Sequence, residues 1–268
     1  MILGIDASTY LEELDHNAIY LDGDVRIDPL DAFVKNGVNC MRIRVWNDPK
    51  DREGNPYLGG NCDLENYIRL GRLAKAKGYS LMMDLHYSDF WADPHKQMIP
   101  KAWANMDVQE LAEAVYTFTK ECLSAAREAD VAPAFIQVGN EITNGMLWPV
   151  GKLLDQQGNR GNYETFCSFV EAGCRACREV IPEAKIILHL EKSNDQAVYQ
   201  EFFTQMERRR SIMTSSVLPT ILTGTEPLRS CLPIFVPAVG LVSPLWWWNW
   251  VMALLQKPTF WMGKPADW

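Results

Sequence analysis

Phe135-Ile136-Gln137-Val138-Gly139-Asn140-Glu141 is a short β-branched and aromatic run that ends abruptly in Gly-Asn-Glu. A buried strand that delivers a carboxylate at its C-terminal end is how many β/α barrels place a catalytic acid. Asn140 is then placed to hold a sugar hydroxyl or to orient the carboxylate. Glu141 could equally cap the helix that follows, and the surrounding segments have to decide.

Working outward, the same motif of strand and polar strand end repeats. Ile2 to Ser8 reads as a first strand running into a polar loop, and Ile27 to Lys35 as a short helix stopped by Asn36-Gly37. Asn39 to Trp46 is a second strand whose period-2 alternation sets Arg42, Arg44 and Trp46 on one face. Two arginines there are costly unless they meet carboxylates or solvent, which suits a barrel interior beside an acidic site. Asp63 caps a helix ending at Gly78. Ser80 to Leu85 is the third strand, with Asp84, His86 and Ser88 on one face. A long loop to Trp103 carries Asp89, Trp91, Asp93 and Pro94. Asp107 and Glu110 open a helix as a capping box, with Val115, Phe118 and Cys122 on its apolar face. After Glu141 and a loop holding Trp148 come a helix from about Tyr163 to Val180, a fifth strand (Lys185 to Leu190) with His189 near its end, and a helix from about Gln196 to Arg210. Such alternation predicts an α/β fold, a TIM (β/α)8 barrel that is incomplete, with about five to six β/α units recognisable. No Gly-rich phosphate loop follows any strand, against a nucleotide-binding sheet.

A chain of 268 residues, 47% hydrophobic and with net charge -8, is an ordinary globular composition that disfavours nucleic acid and anionic membranes as partners. Seven cysteines at irregular spacing give no disulfide framework. Cys174 and Cys177 read as two small residues on one helix rather than a metal site. No metal or other cofactor is expected, a monomer is, and no secretion signal precedes the first strand.

Trp46, Trp91, Trp103 and Trp148, read as exposed beside Asn, Asp, Arg and His, are what a sugar site needs. Indole faces stack on pyranose rings while polar groups select hydroxyls. Glycoside hydrolysis also needs a second carboxylate, about 5–5.5 Å from the first in a retaining enzyme.

Several segments closely resemble glycoside hydrolase family 53: Asn36 to Asn39 with Arg42 to Trp46, Asp84 to Pro94, Lys101-Ala102-Trp103, Gln137 to Ile142 with Asn144 to Pro149, and Leu188-His189-Leu190. The resemblance covers roughly residues 3 to 210. It implies a retaining endo-β-1,4-galactanase, a secreted TIM-barrel enzyme that cuts galactan side chains of pectin. Glu141 would be the general acid/base and Asn140 its sugar-binding neighbour. Arg42, His86 and Asp89 would surround the nucleophile, with Trp91 and Trp148 as sugar platforms. Arg44, Trp46, Trp103 and His189 complete the candidate substrate-binding set. A related barrel glycosidase on another β-glycan and a galactan-binding pseudoenzyme are the alternatives.

The expected organisation is a barrel portion, 1–210, and an atypical tail, 211–268. Only five charged residues (Glu226, Arg229, Lys257, Lys264, Asp267) stand in the tail's 58, together with six of the ten tryptophans. Ser230 to Leu255 carries no charge and is long enough for a membrane span, but Pro233, Pro237 and Pro244 break it up. No glutamate ends a seventh strand. A displaced reading frame explains the tail better. Joining the third base of each codon to the first two of the next, Trp246-Trp247-Trp248-Asn249-Trp250-Val251 must encode V-V-E-L-G. Under permitted codon choices Ser211 to Pro227 gives Y-Y-D-V-I-G-L-S-Y-Y-P-Y-W-H-G-T, which resembles the sixth strand of the same family. The nucleophile is thus expected out of frame, and the chain as written is expected to be inactive or nearly so.

Overall fold

A computed structural model describes residues 2–57, 62–155, 157–192, 195–209, 217–218 and 251–254. Five parallel strands follow one another across the sheet: β1 (Ile2–Asp6), β2 (Cys40–Val45), β3 (Ser80–Leu85), β4 (Phe135–Val138) and β5 (Lys185–Ile187). Val217–Leu218 adds a sixth strand, β6, parallel to β5. At the other edge Val251–Leu254, β7, pairs antiparallel with β1. The parallel run β6-β5-β4-β3-β2-β1 is the partial barrel expected of the sequence, whereas β7, an antiparallel strand drawn from the tail, was not expected. The rest of the tail, including Trp246 to Trp250 and the charge-free run up to Trp250, lies outside the described residues.

Helices follow the strands: α1 (Tyr10–Asp15), α2 (Pro29–Lys35), α3 (Leu64–Ala76), α4 (Val108–Glu128), α5 (Tyr163–Val180) and α6 (Gln196–Arg208). Three of their starts are chemically marked. The Asp28 carboxylate accepts from the Leu30 N–H with Pro29 in the first turn, Asp63 from Asn66, and Asp107 with Glu110 closes the capping box. The helix read from Ile27 therefore begins two residues later. Ile27 instead belongs to a hairpin, Tyr20–Asp22 with Val25–Ile27, that sequence periodicity did not reveal. The fifth strand and last helix end at Ile187 and Arg208, slightly short of the expected bounds.

The sheet's two faces differ. Met41, Ile43, Val45, Met83, Leu85, Ile136 and Val138 join the helices in the main apolar core. The opposite face carries only a small separate apolar cluster, Cys40, Met82, Phe135 and Ile187, of which Cys40 and Phe135 open their strands. Towards the strand ends it turns polar, with Arg42, Arg44, Asp84 and Gln137 all buried. This gradient along one face directs the polar groups to the C-terminal rim, where barrel enzymes carry their sites.

Helix α5 approaches β4 closely because its inner face is small. A Cβ added at Gly173 would lie 2.8 Å from Val138 Cγ1 and 2.9 Å from the Tyr87 hydroxyl oxygen. Cys174 and Cys177 are free, buried thiols, and burial pushes Cys174 up to about 12. Overpacking at such a contact costs about 1–3 kcal/mol. Gly173→Ala should lower the urea midpoint accordingly, whereas an unchanged midpoint would show that α5 can shift away from the sheet.

Candidate active site

At the end of β4 the backbone reverses sharply. Gly139 has φ +81°, and a Cβ there would fall 2.6 Å from Ile142 Cγ2. Glu141 itself adopts a left-handed φ of 52°, a conformation that costs a non-glycine residue about 1 kcal/mol and recurs at functional sites. The reversal is held from both sides. Ile142 N–H donates to the His189 carbonyl at 2.9 Å, and the buried Gln97 side chain donates to the Asn140 carbonyl at 2.8 Å.

Arg42 ties the strands together beneath Glu141. It is only 6% exposed. Its guanidinium meets Asp6 at 2.6 Å and Asp84 at 2.7 Å, and donates to Asn140 Oδ1 at 2.8 Å and Gln137 Oε1 at 3.2 Å. Charges from β1, β2 and β3 are thereby paired with the amides of β4. The arginines hold Asp6 and Asp84 below the usual carboxylate range despite their burial. The cost of burying Arg42 is thus met by carboxylates, while Arg44 feels the charge of Asp6 without an ion pair among the described residues.

The two histidines are both anchored by hydrogen bonds, and those of His86 define its tautomer. His86 Nε2 lies 2.9 Å from Asp84, while its Nδ1 accepts the Ala92 N–H at 3.1 Å, so Nε2 carries the proton. Burial keeps this ring neutral. His189 Nδ1 is 2.8 Å from Asn140 Oδ1, an atom already identified as oxygen because Arg42 donates to it. The same Nδ1 also accepts the Glu141 N–H, at 3.4 Å. Asn140 Nδ2 donates to the Ala92 carbonyl at 2.8 Å, which leaves its second amide hydrogen without a partner among the described residues.

The remaining candidates take different places. Of the four tryptophans read as exposed, Trp46 is 1% and Trp103 7% exposed, while Trp91 and Trp148 are half-buried. Trp103 packs edge-on against Phe118 of α4 within the main core, which explains its burial. Trp46 packs against Phe90 and Trp91. Arg44 stacks 4.0 Å from the Trp91 centroid, and Lys152 sits 4.5 Å from that of Trp148, whose Nε1 donates to Asn144 O. Asp89 accepts from the backbone N–H groups of Asp48 and Lys101, fastening the rim loops together. Gln97, Gln137, Asp6, Thr143 and Glu191 were not singled out from sequence. Among them Asp6 and Gln137 were legible as polar residues on inward strand positions.

Glu141 is the perturbed acid of this cluster. Burial foremost, then the charge of Glu191, raise it from 4.5 to about 7, with Asp93 and Asp84 adding to the rise and Arg42 opposing it. A carboxyl that keeps its proton near neutrality is suited to general acid catalysis. No grouping of His, Cys, Asp and Glu among the described residues could hold a metal ion.

Comparison with known proteins places these features in context. The profile of glycosyl hydrolase family 53 matches residues 2–216. An endo-β-1,4-galactanase of Bacillus subtilis is 35% identical over 190 residues, covering 70% of this chain and 42% of the relative. Arabinogalactan endo-β-1,4-galactanase A of Aspergillus niger is 32% identical over 221 residues, covering 81% and 57%. Among solved structures, the family 53 catalytic domain of Ignisphaera aggregans superposes with a TM-score of 0.74 at 39% identity, covering 83% of this chain and 58% of that one. The chain thus spans about half the length of the curated relatives it matches.

Because the folded Glu141 carboxyl holds its proton to about 7 rather than 4.5, the unfolded chain ionises first as pH rises. Stability present below about 4.5 is lost progressively and is fully lost above about 7. Glu141→Gln should therefore gain on the order of 1–3 kcal/mol over the parent between pH 4.5 and 8. A difference in denaturation midpoints that does not change with pH would contradict the shift.

Proposed function

The chain belongs to glycosyl hydrolase family 53, and from that premise we propose that its barrel portion, 1–210, is the acid/base half of a retaining endo-β-1,4-galactanase. Glu141 would protonate the glycosidic oxygen as the galactan bond breaks and then, as a base, activate the water that releases the product. Asn140, fixed by Arg42, His189 and Ala92, would offer its remaining amide hydrogen to a sugar hydroxyl. Trp91 and Trp148, the two half-buried indoles, would be the sugar platforms, with Trp46, Arg44 and His86 forming the wall behind them. His86 and Asp89 would act by position, because their polar atoms are engaged in holding the rim. Trp103 would support the rim from the core. The observation that carries this reading is the placement of Glu141 on the left-handed strand reversal next to Asn140, whose amide Arg42 holds.

The reaction also needs a nucleophilic carboxylate, and the one glutamate in the sequence of 211–268, Glu226, fits no motif of the family. We propose that the tail is an out-of-frame translation. The end of the family match at residue 216, close to Arg210, supports that boundary. The natural partner is extracellular galactan, bound by a monomer without a cofactor. Among the described residues no helix is long and apolar enough to cross a membrane.

The purified chain should release no galacto-oligosaccharides from β-1,4-galactan. Continuing the coding sequence after Arg210 in the displaced frame should restore release, and Glu141→Gln in that restored chain should abolish it again. Release by the chain as it stands would refute the missing nucleophile. A restored chain that cleaves a different β-glycan but not galactan would refute the substrate.

A further inference from the structure

The segment after β5 lies along the Glu141 reversal and brings a second carboxylate to it. His189 O accepts the Ile142 N–H at 2.9 Å, and two residues on Glu191 Oε2 accepts the Thr143 hydroxyl at 2.6 Å. Thr143 is fully buried, and its own carbonyl accepts from Arg160 Nη1 at 2.7 Å, so the hydroxyl that grips Glu191 is itself fixed. Arg160 is directed to that carbonyl and towards Glu201 rather than to Glu191. Glu191 Oε1 is buried without a hydrogen-bond partner among the described residues, and no ion pair to Glu191 occurs among them. Thr143 thus holds one oxygen of Glu191 beside the Glu141 reversal, with no cation paired to it among the described residues.

We infer that Glu191, clamped by Thr143, is a positioning residue whose negative charge holds Glu141 in its proton-donor form. The groups that face Glu141 set the balance. Arg42 of β2 favours the ionised form, while Asp84 of β3, Asp93 of the following loop and Glu191 oppose it. His189, beside the Glu141 N–H, is engaged with Asn140. Of the three opposing acids Glu191 acts most strongly on Glu141. The inference rests on Glu141 being the site acid but needs no turnover.

The test is a carboxyl-carbon NMR titration of the full chain labelled at glutamate, with the Glu141 signal assigned by its loss in Glu141→Gln. The parent midpoint should lie near 7. Glu191→Gln should lower it by about one unit. Thr143→Val removes the clamp but neither charge, and should lower the midpoint by a smaller amount. An ordinary carboxylate midpoint in the parent overturns the inference. So does a midpoint unmoved in Glu191→Gln or, where that variant does not fold, in Thr143→Val. Because no substrate is present, an absence of galactanase activity leaves this test unaffected.

Discussion

A guanidinium buried inside a sheet is the constraint on which the structure depends. Arg42 cannot lose its charge, and an uncompensated buried cation would cost several kcal/mol. The chain answers with Asp6 from β1 and Asp84 from β3, and uses the remaining donors on Gln137 and Asn140. Because the partners come from different strands, the hub has its full set of bonds only when β1 to β4 stand in register. The same bonds fix the amide of Asn140 and, through it, the ring of His189. Breaking one pair would therefore disturb both the barrel wall and the site.

Glu141 sits where opposing fields nearly balance. Arg42 alone would leave it an ordinary ionised carboxylate. Burial and the acids around it prevail because two carboxylates, Asp6 and Asp84, already occupy the guanidinium. The left-handed backbone at Glu141 belongs to the same arrangement, since it lets Ile142 and Thr143 reach the end of β5. Local strain, a buried acid and a fixed amide neighbour are separate features, and each follows from how β4 ends.

Much of this was legible in the chain. Period 2 placed Arg42 and Arg44 inward, and the caps at Asp63 and Asp107 marked the starts of α3 and α4 correctly. The acid at the end of β4 followed from a strand that stops at Gly-Asn-Glu. What could not be read depends on contacts distant in sequence. The burial of Trp103 needs Phe118 of α4, and the proximity of Glu191 to Glu141 needs β4 and β5 side by side. The His86 tautomer required knowing which atoms its ring faces. Helix α1 and the hairpin before α2 are too short to show a period, so that region read as loop.

The central claim joins an intact acid site to a nucleophile lost from the frame. Sequencing the coding DNA through the codon of Arg210 tests it most directly. The codons of Trp246 to Val251 force V-V-E-L-G in the displaced frame whatever their choice, so the decisive stretch is Ser211 to Pro227. The account predicts codons there that spell Y-Y-D-V-I-G-L-S-Y-Y-P-Y-W-H-G-T one frame away. Codons that encode an unrelated peptide in that frame would contradict it.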